Sequence, residues 1–332
     1  MCPVDRIHLA KIGFLTPVLD GLREAGAPLG TLTRAAGLDR FDLDDPEGYV
    51  PVDRQLAFYD VLSNREGIAD IAAQFFRRFQ LRNIGDWGQA TLAEPDLLTA
   101  CLDAQRYASL IETHFYVRLQ INGPRARISA GYRYRPGPVI RQSERMSLLV
   151  ILDALHVAAG PEFVPDEIHL TGGELKGLES TPIGGGKRVL IGQREVAVVF
   201  PTRLLACRMR KEGGGANFAS IDDAGKTMAE RIERLLDASF PGALTSLPRL
   251  AATLDSSPRT LQRYLEGEGT SFSAVLEKWR FKRAVEALQS DYASIAEIAE
   301  HLGYANTPNF IRAFRRWTNS SPTEYRESVL NS

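Results

Sequence analysis

The sharpest alternation of apolar and polar positions lies near the end of the chain, in Ser294 to Thr318, SIAEIAEHLGYANTPNFIRAFRRWT. Ile295, Ile298, Ala299 and Leu302 recur at the i, i+3, i+4, i+7 spacing of a one-faced helix. Ser294 with Glu297 forms a capping box at its start, and Gly303 supplies a left-handed stop. A second helix is predicted at once, with Thr307 as N-cap, Pro308 in the first turn, and Phe310, Ile311, Phe314 and Trp317 as its apolar stripe. Opposite that stripe lie Asn309, Arg312 and Arg316, with Arg315 at its edge. The pattern predicts a helix-turn-helix.

Leu247 to Leu265, LPRLAATLDSSPRTLQRYL, repeats the layout. Leu250, Ala251 and Leu254 line its first helix, the chain turns through Asp255 and Ser256, and Ser257-Pro258 opens the second helix. Leu261, Tyr264 and Leu265 face inward there, leaving Arg259, Thr260, Gln262 and Arg263 as candidate contact residues. The pairs Ser257-Pro258 and Thr307-Pro308 stand fifty residues apart and Leu254 and Leu302 forty-eight apart, which reads as two extra turn residues in the second copy. Between the copies, Ser271 to Gln289 reads as one helix with Phe272, Val275, Leu276, Trp279 and Val285 on one face. At 1.5 Å per residue it is roughly 30 Å long, near the roughly 34 Å between successive major-groove faces on one side of DNA.

Arginine and asparagine are the side chains that hydrogen-bond phosphates and the major-groove edges of guanine and adenine. A solvated surface explains one arginine-bearing helix equally well; a second copy with the same outward chemistry favours DNA. Candidate DNA-binding residues are therefore Arg259, Thr260, Gln262, Arg263, Asn309, Arg312, Arg315 and Arg316. At this point the chain resembles the AraC/XylS family of bacterial transcription regulators. The resemblance is carried by SPRTLQRYLEGEGTSF, by SIAEIAEHLGYANTPNFIRAFRRWT and by SSPTEYRE at Ser320 to Glu327, beginning at the amphipathic helix with Met228, Ile232, Leu235 and Leu236. The family usually has glycine after the second reading helix where this chain has Asn319, the next-best left-handed cap.

Upstream, residues 10–112 read as mainly helical: a stripe of Phe14, Leu15, Val18, Leu19 and Leu22, a short helix with Leu29, Leu32 and Ala36, then segments over Val52 to Ser63, Ile68 to Phe79 and Glu94 to Glu112. The period then switches to two. HFYVRLQI from His114 and RARISAGYRYR from Arg125 alternate about Asn122-Gly123, a two-residue hairpin signal. That turn pairs Leu119 with Ala126 and Val117 with Ile128, and sets Arg118 opposite Arg127, an unfavourable juxtaposition unless solvent or an anion separates them. Ser143 to Ala159 is helical, and Glu167 to Leu170, Arg188 to Ile191 and Glu195 to Phe200 are short strands. This order, with LTPVLDGLREAGAPLGTLTRAAGL and VAVVFPTRLLACRMR, resembles the arabinose-binding-like sensor domain of one branch of the same family. The fold class is accordingly an α+β N-terminal sensor followed by an all-α double helix-turn-helix domain. The boundaries are 1–210 for sensing and dimerisation, 211–221 for a Gly-rich linker and 222–332 for DNA binding. Within the sensor, Tyr116, Arg118, Tyr132 and Arg141 are the candidate effector-binding residues, an arginine fork being suited to a carboxylate or phosphate.

Composition changes little: 332 residues, 44% hydrophobic, 24% charged and a net charge of −1 suit a globular chain without a global basic signature. Within Asp222 to Ser332, 14 Lys and Arg meet 15 Asp and Glu, so DNA affinity must come from locally placed arginines. Cys2, Cys101 and Cys207 have neither zinc nor disulfide spacing, the five histidines show no metal motif, and GGELKG at Gly172 to Gly177 lacks phosphate-loop spacing. No cofactor, metal or membrane span is expected, and the cytoplasm fits. The reading is a regulator, not an enzyme, with promoter DNA, RNA polymerase and a small-molecule effector as partners. The resemblance implies a homodimer whose sensor repositions the DNA-binding domains on paired half-sites, as an activator or a repressor. The alternative is a ligand-processing or nucleotide-binding N-terminal domain with an accessory DNA-binding part.

Overall fold

A computed structural model of the chain describes residues 8–68, 70–133, 140–172, 177–209, 227–239, 242–254, 256–289 and 293–330. The expected linker at 211–221, the turn residue Asp255 and positions 173–176 of GGELKG lie outside them. The chain forms two compact units, one from His8–Asp39 and Leu43–Ala224 and the other from Gly225–Ser332 together with Arg40–Asp42.

The N-terminal unit opens with β1 (Leu9–Lys11), α1 (Thr16–Glu24), α2 (Leu29–Ala36), β2 (Tyr49–Pro51) and α3 (Val52–Arg65). α4 (Ile71–Phe75), α5 (Gly85–Ala93) and α6 (Leu97–Arg106) follow. β1 and β2 pair antiparallel, and neither they nor α5 was legible in the pattern. The helical stripe expected at the start is real: Phe14, Leu15, Val18, Leu19 and Leu22 are all buried. Then come β3 (Phe115–Asn122), β4 (Arg125–Tyr132), α7 (Ile140–Ala159), β5 (Glu167–His169), β6 (Val189–Leu190) and β7 (Val196–Pro201). They build a five-stranded sheet of order β3-β4-β7-β5-β6, antiparallel except for the β5–β6 pair. α7 packs on β4 and β7, and α6 on β3.

The hairpin corrects the expected register. Asn122 pairs with Arg125, Leu119 with Ile128, Val117 with Ala130 and Phe115 with Tyr132, so the two loop residues are Gly123 and Pro124. With Asn122-Gly123 as the loop, Pro124 would have to take a ladder position without an N–H to donate. Placing Gly123 first, at φ 59°, and Pro124 second satisfies a type II′ turn. A shift of two residues keeps every side chain on its face, but it sets Arg118 opposite Ser129 and Arg127 opposite Gln120. The predicted arginine opposition does not occur.

The C-terminal unit is helical: α8 (Met228–Ala238), α9 (Leu247–Thr253), α10 (Pro258–Gly267), α11 (Phe272–Leu288), α12 (Ile295–His301), α13 (Thr307–Thr318) and α14 (Pro322–Leu330). α8 begins with a full Thr227–Glu230 capping box and buries Met228, Ile232, Leu235 and Leu236. Its first amides also donate to the α10 end: Met228 N and Ala229 N reach Glu268 at 2.7 and 3.1 Å, a carboxylate set against a helix N-terminus. α11, with 17 residues, is about 26 Å long at 1.5 Å per residue. Asp237 of α8 accepts from Trp279 Nε1 at 2.6 Å and from Arg283 Nε at 2.8 Å, joining α8 to α11.

Candidate nucleic-acid interface

Each helix-turn-helix is set by its caps. In α10, Ser257 accepts from Thr260 N at 3.1 Å, and its hydroxyl lies 2.8 Å from that of Thr260. Thr260 is thus part of the cap and only half-exposed. Leu261, Tyr264 and Leu265 are buried, and Arg259, Gln262 and Arg263 are exposed on the opposite side. The Arg263 guanidinium lies over the Tyr264 ring at 5.5 Å.

In the second unit, α12 has the expected Ser294–Glu297 capping box. Gly303 takes φ 70°, and the Tyr304 amide returns to Ala299 O at 2.9 Å, closing the helix. A Cβ on Gly303 would meet Thr245 Cγ2 at 2.8 Å and Gly242 Cα at 3.0 Å, so the turn needs glycine for its angle and for its clearance. The N-cap of α13 is Asn306, which accepts from Asn309 N at 3.0 Å, and Thr307 is already helical. This corrects the expected Thr307 cap, because asparagine reaches the same amide from one residue earlier. The first helices of the two copies begin 48 residues apart, at Leu247 and Ile295, and the second helices 49 apart, at Pro258 and Thr307, so the second copy carries one extra residue rather than two.

α13 buries Phe310, Ala313 and Phe314. Phe314 is fully buried, with ring centroids of Phe310, Trp317 and Tyr325 at 5.8, 6.1 and 5.4 Å. Ile311 and Trp317, expected in the stripe, are half-buried at its edges. Arg312, Arg315 and Arg316 are exposed, and Asn309 is half-exposed, its Oδ1 accepting from Arg312. Asn319 closes the helix at φ 59°, the one positive-φ non-glycine among the described residues, its amide donating to Arg315 O at 2.8 Å.

Nothing in the helical patterns announces the ties between α11 and this second unit. Arg280 donates to Leu302 O at 2.9 Å and Gly303 O at 3.0 Å, and lies over the Tyr304 ring at 4.2 Å. Glu277 Oε1 accepts from Trp317 Nε1 at 2.7 Å and also from Arg316. Those two hydrogen bonds, the Trp317 bond first, hold the Glu277 carboxyl below the ordinary carboxylate range. Of the three arginines on α13, Arg316 therefore carries an acidic partner from α11.

In the N-terminal unit the four candidate effector residues do not converge. Tyr116 and Arg118 share one sheet face, with the Arg118 guanidinium 5.4 Å from the Tyr116 ring centroid. Tyr132 lies on the other face, buried, its ring 5.2 Å from Phe115. Arg141 is exposed in the first turn of α7. Two of the hairpin arginines have acidic partners: Arg127 donates to Glu195 Oε1 at 2.7 Å, and Arg125 lies 3.8 Å from Glu167. Burial pushes the Glu195 carboxyl up, but hydrogen bonds from Arg127 and Tyr116 outweigh it and leave it below its ordinary value. A cavity of about 40 Å³ lies between the sheet and α5 to α7, walled by side chains such as Ala100, Ala104, Ala154, Val117 and Ile128. Thr91 on its wall spends its hydroxyl on Trp87 O at 2.9 Å.

Comparison with known proteins places both units. Residues 26–209 match a family model described as the arabinose-binding domain of AraC transcription regulator, and residues 250–328 match a helix-turn-helix domain. The ornithine utilization regulator of Pseudomonas aeruginosa is 35% identical over 136 residues, 41% of this chain and 39% of that one. The matched segment thus spans well under half the length of that relative. An uncharacterized HTH-type transcriptional regulator of Mycobacterium tuberculosis, Rv1395, is 26% identical over 318 residues, 91% of this chain and 92% of that one. Among solved structures, the transcriptional regulator CdpR from Pseudomonas aeruginosa aligns with a TM-score of 0.39 at 19% identity, over 94% of this chain and 96% of that one.

Proposed function

The chain belongs to the AraC family of transcription regulators, and from that premise we propose that it grips promoter DNA with both of its helix-turn-helix units, α10 and α13 entering adjacent major-groove faces. The observation that carries this reading is the duplicated outward chemistry. α10 exposes Arg259, Gln262 and Arg263 and α13 exposes Arg312 and Arg315, each helix held from behind by a buried stripe. α11 joins the two units as one helix of about 26 Å, a spacer of the order of the roughly 34 Å groove repeat. Thr260 acts in this scheme chiefly by fixing the first turn of α10, and Asn309 by holding the Arg312 guanidinium with its side-chain oxygen.

The N-terminal unit is the ligand-binding domain of the family by its match. We place the sensor at 1–210, the linker at 211–221 and the DNA-binding domain at 222–332, with homodimers, RNA polymerase contact and a cytoplasmic setting as parts of the same proposal. The cavity under α5 to α7 favours an apolar group over a sugar. A hydroxyl entering it gives up its water for walls of carbon, at about 1–3 kcal/mol each. Its volume holds about three water-sized groups, at roughly 10–15 Å³ of such space each, so only a small part of an effector sits there. A ligand-processing N-terminal domain has less support. Burial pushes the Cys101 thiol on the same wall up to about 12, which keeps it protonated and unreactive.

In vitro selection from a random duplex library with the full chain tests the main reading. The expected product is a site with two conserved blocks one helical turn apart, and enrichment of a single block would overturn two-unit binding. Native mass spectrometry of the protein purified from its source tests the sensor, where a bound sugar would overturn the apolar assignment.

A further inference from the structure

We propose that Glu277 is a positioning residue of the DNA interface, which anchors α13 through Trp317 and withdraws Arg316 from the side chains that hold DNA. The inference rests on the reading of α10 and α13 as the DNA-facing helices. Glu277 stands in the first half of α11, and one of its carboxylate oxygens receives both the Trp317 indole N–H, at 2.7 Å, and the Arg316 guanidinium. Two donors converging on one oxygen fix the last turn of α13 against α11. The indole is held on its other sides by the Phe281 ring at 5.7 Å and the Phe314 ring at 6.1 Å.

The charge consequence follows from the same contact. α13 presents three exposed arginines, but the Glu277 carboxylate cancels one of them. Glu277 and Arg316 side chains remain 45% and 67% exposed, so a phosphate reaching Arg316 must compete with the carboxylate and approach a negative group. Each phosphate contact deepens sequence-independent binding without reading a base. Sequestering Arg316 therefore lowers the non-specific hold and leaves Arg312 and Arg315 to act on DNA from a helix whose orientation is fixed. The pair itself stabilises the fold little, as exposed ion pairs do; its value lies in geometry and in the arginine it occupies.

The test measures affinity of the full chain for a duplex of random sequence, by fluorescence anisotropy across a salt series, for the parent, Arg316→Gln, Glu277→Gln and the double variant. Glutamine at 277 keeps an oxygen to accept the Trp317 N–H, so α13 stays in place while Arg316 is released. The slope of log K against log salt is expected to be equal for the parent and Arg316→Gln, steeper by about 0.9 for Glu277→Gln as one more phosphate is engaged, and restored to the parent value in the double variant. A Glu277 that merely stabilised the fold would shift the melting curve and leave the slope alone. A slope flattened by about 0.9 in Arg316→Gln with Glu277 intact would overturn the proposal, and that variant decides the matter even where Glu277→Gln does not fold. An unsteepened slope in folded Glu277→Gln would overturn it too. A parent chain that binds no duplex at any salt would instead sink the DNA-facing reading on which the proposal stands.

Discussion

Glu112 sits 5% exposed at the start of the hairpin segment, bridged by its backbone to Ala10 of β1. Burial, and secondarily the charge of Asp53, push its carboxyl up to about 8. The sign is that of a group whose folded-state value lies above its unfolded one: the folded chain keeps a proton that the unfolded chain, titrating near 4.5, gives up. No stability is lost below about pH 4.5; the penalty grows from there and levels off above about pH 8. At about 1.36 kcal/mol per pH unit it reaches roughly 1 kcal/mol at pH 5.5, 3 at pH 7 and 4 at pH 8, on the way to a plateau of a little under 5. Glu112→Gln replaces the protonated acid with a neutral group of similar shape and removes this dependence. The variant is therefore expected to be more stable than the parent by an amount that grows with pH over that window. Amide exchange of β3 and β4, compared between the two proteins at equal pH, reads the stability of the N-terminal unit directly. A difference that is the same at pH 5.5 and at pH 8 would refute the argument and mean that Glu112 is ionised in the folded chain.

Phe314→Ala removes a fully buried ring and is expected to cost about 3–5 kcal/mol, against the roughly 5–15 kcal/mol that holds a domain together; a C-terminal melting transition unchanged from the parent would contradict its place in the core. Arg312→Ala leaves the buried stripe intact and is expected to weaken binding to a selected site by about 1–3 kcal/mol, and equal affinity in a mobility-shift titration at fixed salt would remove Arg312 from the interface. Substituting both Arg118 and Arg141 with glutamine is expected to leave effector-dependent transcription intact, since the two do not converge with Tyr132; loss of the response at the parent's effector concentration would restore an anionic effector site.

What the sequence disclosed depended on how local the cause was. Both helix-turn-helix units were legible because capping, the Gly303 stop and the apolar stripes are set by residues within four positions of each other. Even there the start of α13 was misplaced by one residue, since Asn306 and Thr307 are both competent caps and only the bond to the Asn309 amide distinguishes them. The hairpin strands and their faces were legible from the period of two, whereas the register was not. Asn122-Gly123 is the stronger turn signal taken alone, and it loses because Pro124 cannot serve the ladder.

The charged residues show where a one-dimensional pattern stops. On a helical wheel Arg312, Arg315 and Arg316 look alike, three cations on an outward face. What separates them is Glu277, 39 residues earlier on another helix, and the contact exists only because Trp317 packs against Phe281 and brings the last turn of α13 onto α11. The same holds for Arg127, whose pairing with Glu195 depends on β4 and β7 being neighbours although 68 residues separate the two side chains. A count of arginines on a face thus overstates the charge available to a ligand, by as many as the fold has already matched with acids. On α13 that correction leaves two exposed arginines whose salt-dependent grip on DNA can be counted, one phosphate at a time, against the slope that each substitution removes.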